Sequence, residues 1–130
     1  MKKVILILTI LLTAFVFGCS QTVKQTNQEI KATKIIEIVN NPQLYEGKEV
    51  IIDGKFGGWG NSEICLNTYN KITSRTRSDV LIYDDSGCLY LGDVEVIEGK
   101  MSTGWNNETI GKPLIVKGKI VLIEGKPILG

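Results

Sequence analysis

Apolar and polar residues alternate along this chain at three different scales, and each scale predicts a different kind of segment. A near-continuous apolar run, Val4 to Phe17, follows Lys2 and Lys3 and is broken only by Thr9 and Thr13. A polar stretch, Ser20 to Lys31, reads SQTVKQTNQEIK and carries no apolar period. From Ala32 onward the pattern becomes that of a folded domain. Ile35, Ile36, Ile38 and Val39 recur at helical spacing, with Thr33 as a candidate N-cap and Pro42 as a stop, so one short helix is predicted over Lys34 to Asn40. Glu49 to Trp59 then switches to a period of two, with Val50, Ile52, Gly54 and Phe56 on one face and Ile51, Asp53 and Lys55 on the other.

Further strands follow. Asp79 to Asp84 and Gly87 to Leu91 flank Asp85-Ser86-Gly87 and read as a hairpin. Leu114 to Ile123 is a long strand, turned back by Glu124-Gly125-Lys126 into Pro127 to Leu129, where Pro127 suits an edge or a strand start. An edge there would be open to a second chain. The segment Gly47-Lys48-x-Val50-Ile51-x-x-Gly54-Lys55 is echoed 64 residues later by Gly111-Lys112-x-Leu114-Ile115-x-x-Gly118-Lys119. Glycine weakens a strand unless the backbone must bend or approach closely, so Gly54 and Gly118 mark predicted bends. Five strands, two of them bent, predict an all-β, five-stranded Greek-key barrel preceded by one short helix.

The amino terminus gives an address. The fourteen residues Val4 to Phe17 are too few to span a bilayer, which takes about 20 apolar residues, but they suit the core of a secretory signal after a basic start. Val16-Phe17-Gly18-Cys19 resembles the lipobox of bacterial lipoproteins, with Phe17 the less usual residue. That resemblance implies a signal peptide over 1–18, cleavage before Cys19, and acylation of the Cys19 thiol. Residues 19–31 then form a flexible lipidated tether, and 32–130 form the domain. The location implied is extracytoplasmic and lipid-anchored to the cell membrane, or to the outer membrane in a host with two.

The charge balance changes on cleavage. The chain has 15 basic and 14 acidic residues, and loss of Lys2 and Lys3 leaves 13 basic residues and a net charge near −1. Binding to nucleic acid draws mainly on clustered lysine and arginine, so that class is disfavoured. The absence of histidine excludes Ser-His-Asp and Cys-His catalysis and histidine-ligated zinc or haem. With no phosphate loop or dinucleotide fingerprint either, the chain is expected to be no enzyme and to need no cofactor and no metal. Asp84 and Asp85 fit a hairpin turn better than a calcium site, which would want six or more oxygens.

The runs IIEIVNNPQLYEGKEVIIDGKFGGW, RSDVLIYDDSGCLYL and GKPLIVKGKIVLIEGKPIL resemble the OB-fold (oligonucleotide/oligosaccharide-binding) superfamily, in particular small exported bacterial and archaeal members and the periplasmic bacterial OB-fold family. The resemblance covers about Thr33 to Leu129. It departs at Gly92 to Ile110, where many OB-folds place a helix and this chain shows a loop-like composition.

Cys65 and Cys88 are a candidate disulfide in an exported domain, with free thiols the alternative and redox catalysis disfavoured by the lack of Cys-x-x-Cys. The bond would close a loop worth on the order of 3 kcal/mol.

The OB-fold resemblance directs a ligand to the face around strands two and three. Trp59, Tyr69, Arg75, Arg77, Tyr83 and Tyr90 lie on or near those strands, and of these Trp59, Arg75, Arg77 and Tyr83 are the candidate ligand residues. Packing inward is the competing role, and it is expected for Tyr83 or Tyr90. Three functions stay open: a monomeric envelope module for an oligosaccharide, peptide or small ligand; an assembly lipoprotein contacting another envelope protein; and extracytoplasmic nucleic-acid binding.

Overall fold

A computed structural model describes residues 31–60, 63–102 and 108–130; Cys19, the predicted signal and the tether up to residue 30 lie outside the described residues. The chain runs α1 (Ile35–Asn40), α2 (Pro42–Tyr45), β1 (Glu49–Gly58), a 3-10 turn (Tyr69–Lys71), β2 (Val80–Tyr83), β3 (Cys88–Leu91), β4 (Glu95–Gly99), β5 (Pro113–Ile123) and β6 (Lys126–Leu129). Strands β1, β2, β3, β6 and β5 hydrogen-bond in that order and close back through β1 to β5, while β4 adds a sixth strand to β5. This is the small, OB-like barrel that the strand pattern predicts.

Alternation explains the barrel. Val50, Ile52 and Phe56 on β1 are buried, and Ile52 pairs across to buried Val116 on β5. The two echoed segments are antiparallel partners, with Val50 opposite Gly118 and Gly54 opposite Leu114. Each glycine therefore faces an apolar residue of the other copy. A side chain at Gly118 would press on Leu129 and Val94, and one at Gly54 would place its Cβ 2.5 Å from the Tyr83 carbonyl oxygen. Close approach, not unusual dihedral angles, is what requires glycine at both places, because β1 changes partner from β5 to β2 just beyond Gly54.

Four local expectations are corrected. Thr33 does not cap α1. The helix starts after Lys34, and its first two N–H groups are satisfied across the fold, Ile35 donating to the Asp84 carboxylate at 3.0 Å and Ile36 to the Ser86 hydroxyl at 3.1 Å. Asn41 to Glu46 is not only a turn, since Pro42–Tyr45 forms α2, with Pro42 at its first position where a missing N–H is harmless. Gly92 to Ile110 is not all loop, because Glu95–Gly99 pairs with β5 as β4. Finally, Pro127 is not on an edge: β6 is bonded to both β5 and β3, and Pro127 is buried near the strand start.

Helix α1 gives Ile35, Ile38 and Val39 to the core and packs on β3 and β6. It fills the barrel from the amino-terminal side, so the connection between β3 and β5 is free to carry a strand.

Candidate functional site

Strand parity assigns β2 and β3 an inner and an outer face. Ile82 pairs with Leu89, and both are fully buried inside the barrel. Leu81, Tyr83, Cys88 and Tyr90 must then point outward, with Leu81 opposite Tyr90 and Tyr83 opposite Cys88. The expectation that Tyr83 or Tyr90 packs inward is thus replaced by a different arrangement, in which both are half-buried against the margin of the core.

The outer face is covered in part by the connection between β1 and β2. Cys65 in that loop is disulfide-bonded to Cys88 on β3, with Cα atoms 5.3 Å apart. Next to the bond, the fully buried Thr68 accepts a hydrogen bond at its hydroxyl from the Cys88 backbone N–H at 3.0 Å, and the same hydroxyl lies 3.3 Å from the Cys88 sulfur. Gly87 is required here, because the Thr68 methyl occupies the space a Cβ would take. Ile72 of the same loop is also buried, at 4 % exposure.

The returning end of the loop is held by Asp79. Its carboxylate accepts from the Arg75 and Thr76 backbone N–H groups and from the Thr76 hydroxyl at 2.6 Å. Burial alone would raise this carboxyl, but the hydrogen bonds from Thr76 and Arg75 and the Arg75 charge outweigh it and hold the pKa below the usual value.

Between the loop and the sheet remains a hollow of about 270 Å³. Its floor is Leu81 and Tyr90 from the strands, its roof is Cys65, Tyr69 and Ile72 from the loop, and Trp59 stands at its side where β1 ends. Among the described residues, no charged side chain lines it. Trp59 and Tyr69 are about half exposed, at 47 % and 59 %. Burial pushes the Tyr90 phenol up, with Tyr69 and Asp79 adding to the effect, so Tyr90 is a neutral hydroxyl at physiological pH. Flat apolar rings, hydroxyl groups and a lack of charge suit a neutral ligand with a ring face and polar edges.

The candidate residues named from sequence are therefore separated. Trp59 lines the hollow. Arg75 does not; its guanidinium lies beside Gly92 and 4.0 Å from the Asp93 carboxylate. Arg77 is exposed on the loop and does not line the hollow. Tyr83 belongs to a second, wider hollow of about 470 Å³ with Lys34, Asp53, Lys55, Asp84 and Asp85. There Lys34 pairs with Asp85, and Asp84 is engaged by the hairpin turn and α1, accepting from Ser86 and Gly87 N–H as well as from Ile35. Among the described residues, no cluster of three or more Cys, Asp or Glu is placed to hold a metal ion.

Tyr69 and Tyr90 complete the hollow although neither was among the candidate ligand residues. A signal for Tyr90 was present: it stands two residues after Cys88, on the same strand face, so a bond from Cys88 to the loop brings that loop over Tyr90. Neither a protein family, nor a curated protein, nor a solved structure matches the chain.

Proposed function

We propose that this chain is a non-catalytic binding module of the cell envelope, tethered to the membrane through lipid on Cys19, that takes an uncharged oligosaccharide unit in the hollow under the β1–β2 loop. The observation that carries this reading is the grouping of Trp59, Tyr69 and Tyr90 around a hollow to which the described residues bring no charged side chain. Aromatic rings stack on the C–H faces of sugars, and the two tyrosine hydroxyls can bond the ring's polar edge. Its size suits a single sugar ring or a small peptide side chain better than an extended strand.

Nucleic acid fits this site less well. Stacking alone would suit a base, but phosphate contacts need cations, and Arg75 is turned toward Asp93 while Arg77 does not line the hollow. A protein partner is favoured by a different observation: Leu66 in the same loop is 74 % exposed and Ile64 36 % exposed, two apolar side chains open to solvent beside the exposed Tyr69.

Titration of the ¹⁵N-labelled protein with N-acetylglucosamine tetramer, a short peptide and a single-stranded oligonucleotide separates the three. The saccharide is expected to shift amides of Trp59, Tyr69, Leu81 and Tyr90, and Trp59→Ala is expected to abolish the response while leaving the fold intact. Binding of the oligonucleotide alone, or a Trp59→Ala protein that simply unfolds, overturns the reading.

A further inference from the structure

The geometry points to the Cys65–Cys88 disulfide as a redox switch that assembles and dismantles the hollow. The inference rests on the reading of that hollow as the ligand site, and adds its regulation. All three roof residues, Cys65, Tyr69 and Ile72, belong to the loop, whereas the floor residues Leu81 and Tyr90 belong to the barrel. The hollow therefore exists only while the loop lies on the β2–β3 face.

Among the described residues, the loop buries few side chains against the sheet besides the bonded cysteine. Of the described residues from Glu63 to Lys71, only Cys65 and Thr68 are buried, and Ile72 follows them. Thr68 accepts one hydrogen bond from the β3 backbone, and Lys71 donates to Asn40 at 2.9 Å on the exposed surface. Glu63, Ile64, Leu66, Asn67, Tyr69, Asn70 and Lys71 are exposed. The barrel, by contrast, is closed by pairing of β1 with β5 and β2 with β3, neither of which involves the loop, and is filled by α1, with Cys65 and Ile72 the loop's contribution to the core. Breaking one covalent bond thus frees the roof and leaves the floor in place.

The chemistry is set up unevenly between the two sulfurs. Cys65 lines the hollow at 3 % exposure, while Cys88 is fully buried and does not line it. A thiolate from a dithiol donor entering the hollow attacks Cys65 Sγ; the sulfur–sulfur bond breaks and its electron pair leaves on Cys88 Sγ. The Thr68 hydroxyl, 3.3 Å from that sulfur, is placed to donate a hydrogen bond to the departing thiolate, and a stabilised leaving group leaves faster. The donor's second thiolate then attacks its own sulfur in the mixed disulfide, releasing Cys65 and closing the donor's disulfide. Two electrons and two protons pass from the dithiol to the Cys65 and Cys88 thiols.

Hydrogen exchange read by mass spectrometry on the full chain in detergent tests this without any ligand. With dithiothreitol as the dithiol, peptides covering residues 63–72 and the Cys88 amide are expected to exchange on the order of tenfold faster or more, while β1 and β5 keep their protection. The Cys65→Ser/Cys88→Ser double variant should match the reduced protein without reductant. Unchanged protection of 63–72 after complete reduction, or loss of protection across β1 and β5 in either form, overturns the switch, since the bond would then be idle or a general staple. Tetrameric N-acetylglucosamine added to the oxidised protein is a separate arm: no binding there fails the ligand reading and leaves the exchange result to decide the switch.

Discussion

The Thr68 hydroxyl oxygen lies 3.0 Å from the Cys88 backbone nitrogen, so one loop side chain satisfies a main-chain donor of β3 at the point where the disulfide crosses. Both residues are fully buried. Thr68→Val keeps the shape and removes the acceptor, leaving the Cys88 N–H without a partner away from water. The expected loss is about 1–3 kcal/mol, measured as the urea midpoint of the oxidised protein. A change within a few tenths would mean that water replaces the hydroxyl and that the loop is looser than described.

Gly54 sets the closure of the barrel. Alanine there would put its Cβ 2.5 Å from the Tyr83 carbonyl oxygen and 3.1 Å from the Ile82 side chain, and backbone cannot yield as a side chain tip can. Gly54→Ala is expected to destabilise by about 1–3 kcal/mol, as overpacked cores do, whereas Gly125→Ala meets no atom within 4 Å and suffers only its positive φ of 77°. Thermal midpoints of the two variants compare the effects directly.

The Asp84 carboxylate caps α1 from 49 residues away and also closes the β2–β3 turn. Asp84→Ala is expected to cost about 1–2 kcal/mol, the range for a lost N-cap, and to raise amide exchange first in Ile35 and Ile36. Equal loosening of the hairpin and the helix supports the double role; a response confined to the hairpin would show that α1 holds its place by packing alone.

Asp79 makes the loop sensitive to acid. Its folded pKa lies below the ordinary carboxylate value, so the folded state binds this proton less readily than the unfolded chain. The stabilisation is complete above the unfolded value of about 4 and is lost as pH falls through the depressed folded one. Asp79→Asn should therefore lower the thermal midpoint at pH 7, and the gap from the parent protein should narrow below about pH 4. A gap independent of pH would assign the effect to shape and not to charge.

Much of the barrel is legible in the chain because burial on one face imposes a period of two on β1, and because Asp-Asp-Ser-Gly between apolar runs can do little but turn. The Cys65–Cys88 bond is legible only as a candidate, because an even cysteine pair can be oxidised in the exported domain that the sequence predicts, with free thiols as the alternative. Strand β4 is not legible, since all of Glu95–Gly99 is exposed and its place is set by pairing with β5, not by a buried face. The cap of α1 is hidden for a similar reason, as Asp84 is a neighbour only after folding. Of the candidates named from sequence, Trp59 does line the hollow, but Arg75 and Tyr83 are drawn elsewhere by Asp79, Asp93 and the second hollow, none of which composition reveals.

The most direct measurement is the amide-shift titration with N-acetylglucosamine tetramer, run on the parent protein and on Trp59→Ala and Arg75→Ala. The account predicts shifts confined to Trp59, Tyr69, Leu81 and Tyr90, lost in Trp59→Ala and unchanged in Arg75→Ala. Shifts centred on Arg75, Arg77 or Tyr83, or a response that Arg75→Ala removes, would contradict it.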